Sequence, residues 1–233
     1  MTNIKNMLIG AVMTVSLALA TSAFAGSFGV GVSGNMASVT AQGSEAETAA
    51  VGTETENSVT STGAGNKFGF GSVFAEYNFG DSERFTLGLD YVPGSASINS
   101  DTLSRTDGTT DGQNPAIQTG TVKANAEISD HVTLYTEIGI VNGVYGKIGF
   151  SQVDIDVKQD NSAAYGTYPD KKLDAITLGL GYKAGFGSNG FFKLEGFYSD
   201  YDSYTANSSS TEANTVNADL DVVGAKLALG YKF

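Results

Sequence analysis

The chain has no cysteine, no tryptophan, one histidine and only three prolines among its 233 residues. Without cysteine there is no disulfide framework, no thiol nucleophile and no cysteine-bound metal centre. Basic residues are scarce as well, 13 against 25 acidic ones, for a formal net charge of −12. Such a polyanion is unsuited to nucleic acid, whose phosphates need a basic surface, and to basic-patch contact with anionic lipid. Long hydrophobic runs are missing too, apart from residues 7–20. Lys5 precedes that run, and Ala23-Phe24-Ala25 follows it. A short basic segment, an apolar stretch below the roughly 20 residues of a spanning helix, and an A-x-A site together predict a secretory signal peptide over residues 1–25. Residues 26–233 are then one exported domain. With no later helical span, only a closed barrel could carry this backbone through a membrane.

What the chain has in quantity is alternation. In the closing stretch, Phe233, Tyr231, Leu229, Leu227, Ala225 and Val223 share one face, and Lys232, Gly230, Ala228, Lys226 and Gly224 the other. Side chains that alternate between faces in this way predict a strand with one apolar face and one small or charged face. The same pattern recurs. Residues 28–33 form a first strand and residues 68–79 a second, in which Phe68 and Phe70 fall out of phase and predict a bulge near Gly71. In the third strand Phe85, Leu87, Leu89 and Tyr91 face out, while Arg84, Thr86, Gly88 and Asp90 face in; Pro93-Gly94 weakens its end. Between residues 117 and 157 two turn signals compete, Ser129-Asp130-His131 and Asn142-Gly143. Asn-Gly is the stronger hairpin signal, so the fourth strand ends at Val141 and the fifth begins at Val144. The sixth runs through Ile176, Leu178, Leu180 and Tyr182, and the seventh through Phe192, Leu194 and Tyr198. Polar stretches near residues 37–66, 99–116, 158–171 and 203–217 alternate with three tight turns. The prediction is an all-β, eight-stranded antiparallel transmembrane barrel, with four long polar extracellular loops and three short periplasmic turns. A soluble sandwich fits less well, because the outward positions carry the large apolar residues and the other face carries glycine and charge.

The signal segment, the glycine-rich alternating strands, the loop asymmetry and the terminal Tyr231-Lys232-Phe233 resemble the small outer-membrane β-barrel proteins of bacteria. The likeness spans the exported chain and is sharpest in Leu178-Gly179-Leu180-Gly181-Tyr182 and Phe192-Lys193-Leu194-Glu195-Gly196-Phe197. The resemblance implies location in the bacterial outer membrane, in contact with its lipid. It implies periplasmic chaperones and the barrel-assembly machinery as partners during biogenesis. It also implies that Phe233, Tyr231 and Leu229 form the assembly signal read by that machinery.

An eight-stranded barrel has an interior that side chains fill. The inward positions hold Arg84, Lys147, Lys183, Lys193 and Lys226 against Glu76, Asp90, Glu137 and Glu195. Charges buried together must pair, so these residues are expected to form a lumen network. Lys147 is expected to meet Glu137 across the Asn142-Gly143 hairpin. His131 is read as a turn or rim residue without a nucleophile at catalytic spacing. Asp154, Asp156 and Asp160 lack the glycine and terminal glutamate of a calcium loop, and imply at most weak divalent-cation binding at the acidic loops. No cofactor is implied. The expected role is non-enzymatic and structural, stabilising the outer membrane or shaping an acidic cell surface. A loop-mediated adhesin is the first alternative and a narrow ion channel the second.

Overall fold

The computed structural model describes residues 26–46, 57–80, 83–99, 103–111, 114–160, 167–207, 209 and 215–233; the signal segment lies outside them. Among the described residues ten strands form: β1 (Gly26–Ala46), β2 (Asn57–Phe79), β3 (Phe85–Asn99), β4 (Leu103–Asp111), β5 (Asn114–Val141), β6 (Val144–Asp160), β7 (Lys171–Phe186), β8 (Gly190–Tyr201), β9 (Tyr204–Asn207) and β10 (Thr215–Lys232). Neighbours pair antiparallel in the order β1-β2-β3-β5-β6-β7-β8-β10, and β10 pairs back onto β1, from Gly29 opposite Lys232 to Ala46 opposite Thr215. The ring is therefore closed by eight strands, as the alternation predicts. The two short strands extend it: β4 takes over from β3 along β5, and β9 takes over from β8 along β10.

The wall follows from the alternation. Phe28, Val32, Leu89, Ile140, Ile148, Leu180, Leu194 and Leu227 point outward and are exposed. Their partners in phase, among them Ser33, Ser72, Glu76, Thr86, Asp90, Thr133, Glu137, Lys147, Ser151, Thr177, Lys193 and Glu195, point inward and are buried. An apolar belt outside a polar bore is the arrangement that a hydrocarbon layer covers. At the tight turns, Asn142 (φ 47°) and Gly143 (φ 84°) both occupy the left-handed region. That geometry matches the twist of the flanking strands, which is why this dipeptide, and not Ser129-Asp130-His131, makes the hairpin.

Two expectations are revised, and the rejected turn signal finds its explanation. The polar segment 37–66 is not loop throughout, because β1 continues to Ala46 and β2 starts at Asn57. The bulge near Gly71 is absent: β1 and β2 pair without interruption from Gly26–Phe79 to Val39–Asn66, and the register shift falls between Val39 and Ala41. Phe68 and Phe70 are in phase with the bore, like Phe74. The weaker turn signal is a bulge in a continuous strand, with Asp130 at φ 50° and a register shift between Ser129 and Val132.

Candidate functional site: a closed bore beneath an apolar cavity

From the turn end upward, the bore divides into three levels. The lowest is charged. Lys193 lies between two carboxylates, bonding Glu76 and chelating Glu137 at 2.7 and 2.9 Å. Glu76 also accepts from Lys183 at 2.8 Å and from the Tyr135 hydroxyl at 3.2 Å. Lys147 bonds Glu195 at 2.8 Å, which accepts from Tyr145 at 2.9 Å as well. Lys226 reaches Asp90 at 2.7 Å. Four ammonium groups thus meet four carboxylates, and each has an opposite partner. Such pairing is the condition for holding charge in a bore of this width. Aromatic rings fill the remaining space. Phe191, wholly buried, packs edge-on against Phe74 at 6.1 Å between centroids, with the Lys183 ammonium 4.7 Å from its ring centre. Inward glycines make room for these rings: a Cβ on Gly230 would lie 2.2 Å from Phe191, and one on Gly88 2.2 Å from Tyr135.

Most of the charged residues expected in the lumen meet here, with two corrections. Glu137 does sit opposite Lys147 in the β5–β6 register, but Lys147 bonds Glu195 while Glu137 takes Lys193. Long side chains in a narrow barrel reach across the bore as easily as to the adjacent strand. Arg84 is not in the network. It precedes the first β2–β3 pair, Phe79 opposite Phe85, and is exposed at the turn end. Among the described residues it makes no ion pair. At the same rim Lys232 bonds Glu83 at 2.8 Å. Burial alone would raise the Glu83 carboxyl; the bond to Lys232 and that ammonium's charge outweigh it and hold it below the ordinary value. Phe233, Tyr231 and Leu229 all face outward at the wall's lower edge, where the Tyr231 and Phe233 rings meet edge-on at 5.2 Å. The Phe233 amide bonds the Phe28 carbonyl at 2.8 Å, tying the chain end into the seam.

The second level is a belt of hydroxyls. Thr133, Ser151, Thr177 and Ser199 are linked in series at 2.8 Å across β5, β6, β7 and β8. On the other side of the bore Ser33 meets Ser72 at 2.6 Å, and Ser72 donates to Asp90 at 3.1 Å. The alternation alone turns Ser151 and Thr177 inward, but not the row they complete with Thr133 and Ser199. The available signal was a hydroxyl at one inward height on strand after strand.

Above the belt the lining turns apolar and a cavity of about 290 Å³ opens. Phe68, Phe70, Ile155, Leu173, Phe197 and Val222 belong to its apolar wall, and Ser95, Ser129, His131, Ser199 and Tyr201 are its polar side chains. His131 is therefore not a rim residue. The bulge at Asp130 turns it inward, where its Nε2 lies 3.0 Å from the Tyr201 hydroxyl. Among the described residues, no aspartate, glutamate, lysine or arginine lines this space. The cavity abuts an opening in the wall. β2 and β3 pair only from Phe79–Phe85 up to Val73–Tyr91. Beyond that point β2 stays paired to β1 and β3 to β5, but among the described residues their facing edges do not pair. Pro93 supplies no N–H, Gly94 adopts φ 90°, and the β3–β5 register shifts between Val92 and Ser95. These features end the ladder at this height. Residues 69–71 and 92–95 flank both the opening and the cavity.

Of the expected cation ligands only part is described. Asp154 bonds Lys172, the side chain of Asp160 lies outside the described residues, and among the described residues no cluster of three or more metal-ligating side chains occurs.

A closed eight-stranded antiparallel barrel with an apolar belt, a polar bore and short turns at one end is the fold of the small outer-membrane barrels of bacteria. No protein-family model matches the chain, and no curated protein matches it. Among solved structures it is similar to the outer membrane protein OprG from Pseudomonas aeruginosa, at 14% identity and TM-score 0.50, over 90% of this chain and 97% of that one. Ail, the attachment invasion locus protein of Yersinia pestis, solved with the heparin analogue sucrose octasulfate, matches at 14% identity and TM-score 0.39, over 87% and 99%. The outer membrane protease OmpT from Escherichia coli matches at 10% identity and TM-score 0.43, over 91% and 99%. At such identities the likeness concerns the fold.

Proposed function

We propose that the protein is a non-enzymatic integral barrel of the bacterial outer membrane. Its bore is closed by the charge network, and its extracellular half receives a small apolar molecule. The carrying observation is the coincidence of two features at one height: an uncharged cavity inside the wall and a break in strand pairing beside it. The break adjoins outward apolar surface, with Met36 71% exposed on the adjacent strand. A molecule of this kind could thus pass between cavity and lipid without crossing the charged level. Supporting a closed bore, and weighing against the narrow channel, are the compensated charges and the buried Phe191. The structural role expected from composition, a stable acidic barrel, accords with the same plug. Outer-membrane lipid, the assembly machinery acting through Phe233, Tyr231 and Leu229, periplasmic chaperones, and weakly held divalent cations at the acidic loops belong to this proposal.

The test uses the refolded barrel in lipid vesicles with N-phenyl-1-naphthylamine, a fluorophore that brightens in apolar surroundings. Saturable binding beyond that of vesicles alone, competed by small hydrocarbons, with no steady current in planar-bilayer recordings, is the expected result. Steady ion current without saturable binding would move the channel reading to first place.

A further inference from the structure

We infer that the cavity selects an amphiphile with one uncharged hydrogen-bonding end, such as an alcohol or ketone on a short hydrocarbon chain, over a plain hydrocarbon or a carboxylate. This deepens the reading above and rests on it. Besides the cross-strand pair Ser95 and Ser129, the lining holds three further polar side chains. His131 and Tyr201 are bonded to each other at 3.0 Å, and Ser199 is the β8 member of the hydroxyl belt that underlies the cavity. Apart from Ser95 and Ser129, the described residues that complete the wall are apolar residues and glycine. A hydrocarbon pressed against the polar side chains strips their water and returns no hydrogen bond, which is costly in a low-dielectric setting. A ligand hydroxyl or carbonyl satisfies them.

A charged end meets the opposite problem. Among the described residues no aspartate, glutamate, lysine or arginine lines the cavity, and the ammonium groups beneath the belt already hold their own carboxylates. A ligand carboxylate would be desolvated without a counter-charge, which is costlier than burying a neutral polar group. The site therefore discriminates on both sides of one property, the charge and polarity of the ligand's end.

The experiment compares displacement of N-phenyl-1-naphthylamine from the vesicle-inserted barrel by 1-octanol, n-octane and octanoate, each corrected for its partition into barrel-free vesicles. The wild type should prefer octanol by about tenfold over both others, the range set by one buried hydrogen bond. The double variant His131→Phe, Tyr201→Phe should lose most of that preference while octane displaces as before. Ser199→Ala, a one-atom change, should reduce it and serves if the double variant does not assemble. Equal displacement by octanol and octane in the wild type overturns the selectivity alone. So does an octanol preference unchanged in the variants. Absence of saturable probe binding overturns the cavity as a ligand site, and the selectivity with it.

Discussion

The lower and upper halves of this barrel share one wall and differ in what they enclose. Both obey the same alternation, because lipid outside imposes it. Below the hydroxyl belt the inward positions carry charge and rings that reach across the bore and fill it. Above it they carry apolar side chains that leave about 290 Å³ empty, and one strand pair comes apart. The wall is thus set by the solvent around it, while the filling is free to change along the axis. Rigidity has been placed at one end and access at the other.

The sharpest way to break this contrast is to attack the lower half at its centre. Lys193→Met strands Glu137, whose only ammonium among the described contacts is Lys193. A buried pair broken on one side costs about 3–5 kcal/mol, so the variant should unfold at much lower urea and run as a non-heat-modifiable band. Adding Glu137→Gln should restore part of the loss. Phe191→Ala comes next, with a loss of about 3 kcal/mol from the emptied ring site, and no current, since the ion pairs beside it persist. A third experiment tests reach across the bore against register. Lys147→Met should be rescued in part by Glu195→Gln and not by Glu137→Gln, in denaturant titrations of all three chains.

In the upper half, Val222→Trp should move stability by about 1 kcal/mol or less, because the added ring enters open space where a packed core would resist it. The same change should weaken fluorophore binding about tenfold. The smallest effect belongs to the rim. The Glu83 carboxyl is held below its ordinary value by Lys232 despite its burial. Its stabilisation is complete above the unfolded value, near pH 4.3, and is lost as pH falls through the lowered folded value. Glu83→Gln should flatten the slope of the unfolding midpoint between about pH 5 and about pH 3.

The wall was legible in the sequence because period-two alternation is local, and a strand needs only its own residues to declare it. The strand ends Val141 and Val144 could be read because Asn142-Gly143 encodes its own backbone geometry. Eight of the nine charges expected in the bore could be read from parity; Arg84 could not, because it lies in the turn before the β2–β3 ladder begins. Which ammonium meets which carboxylate could not, since Lys147 and Glu195 lie 48 positions apart and their contact depends on side-chain reach across a closed ring. The cavity was hidden for a related reason. Phe68 and Phe70 seemed out of phase because two phenylalanines were assigned to lipid by their hydrophobicity, whereas the bore changes from polar to apolar at their height. Phe191 was masked by Phe192, although the inward parity of Lys193 and Glu195 fixes which ring turns in. Pro93-Gly94 was seen as a weak strand end. Its effect on pairing needed the neighbouring ladder.

The row Thr133, Ser151, Thr177 and Ser199 has one more consequence. In each of its three contacts either hydroxyl can be the donor. All three bonds can therefore reverse together without moving a heavy atom. In one sense of the row Ser199 gives its proton to Thr177 and turns a lone pair toward the cavity; in the other it accepts from Thr177 and its own proton is free. The belt behaves as a reversible electric dipole laid along the wall, and its end at Ser199 can answer a guest's carbonyl with a proton or a guest's hydroxyl with a lone pair.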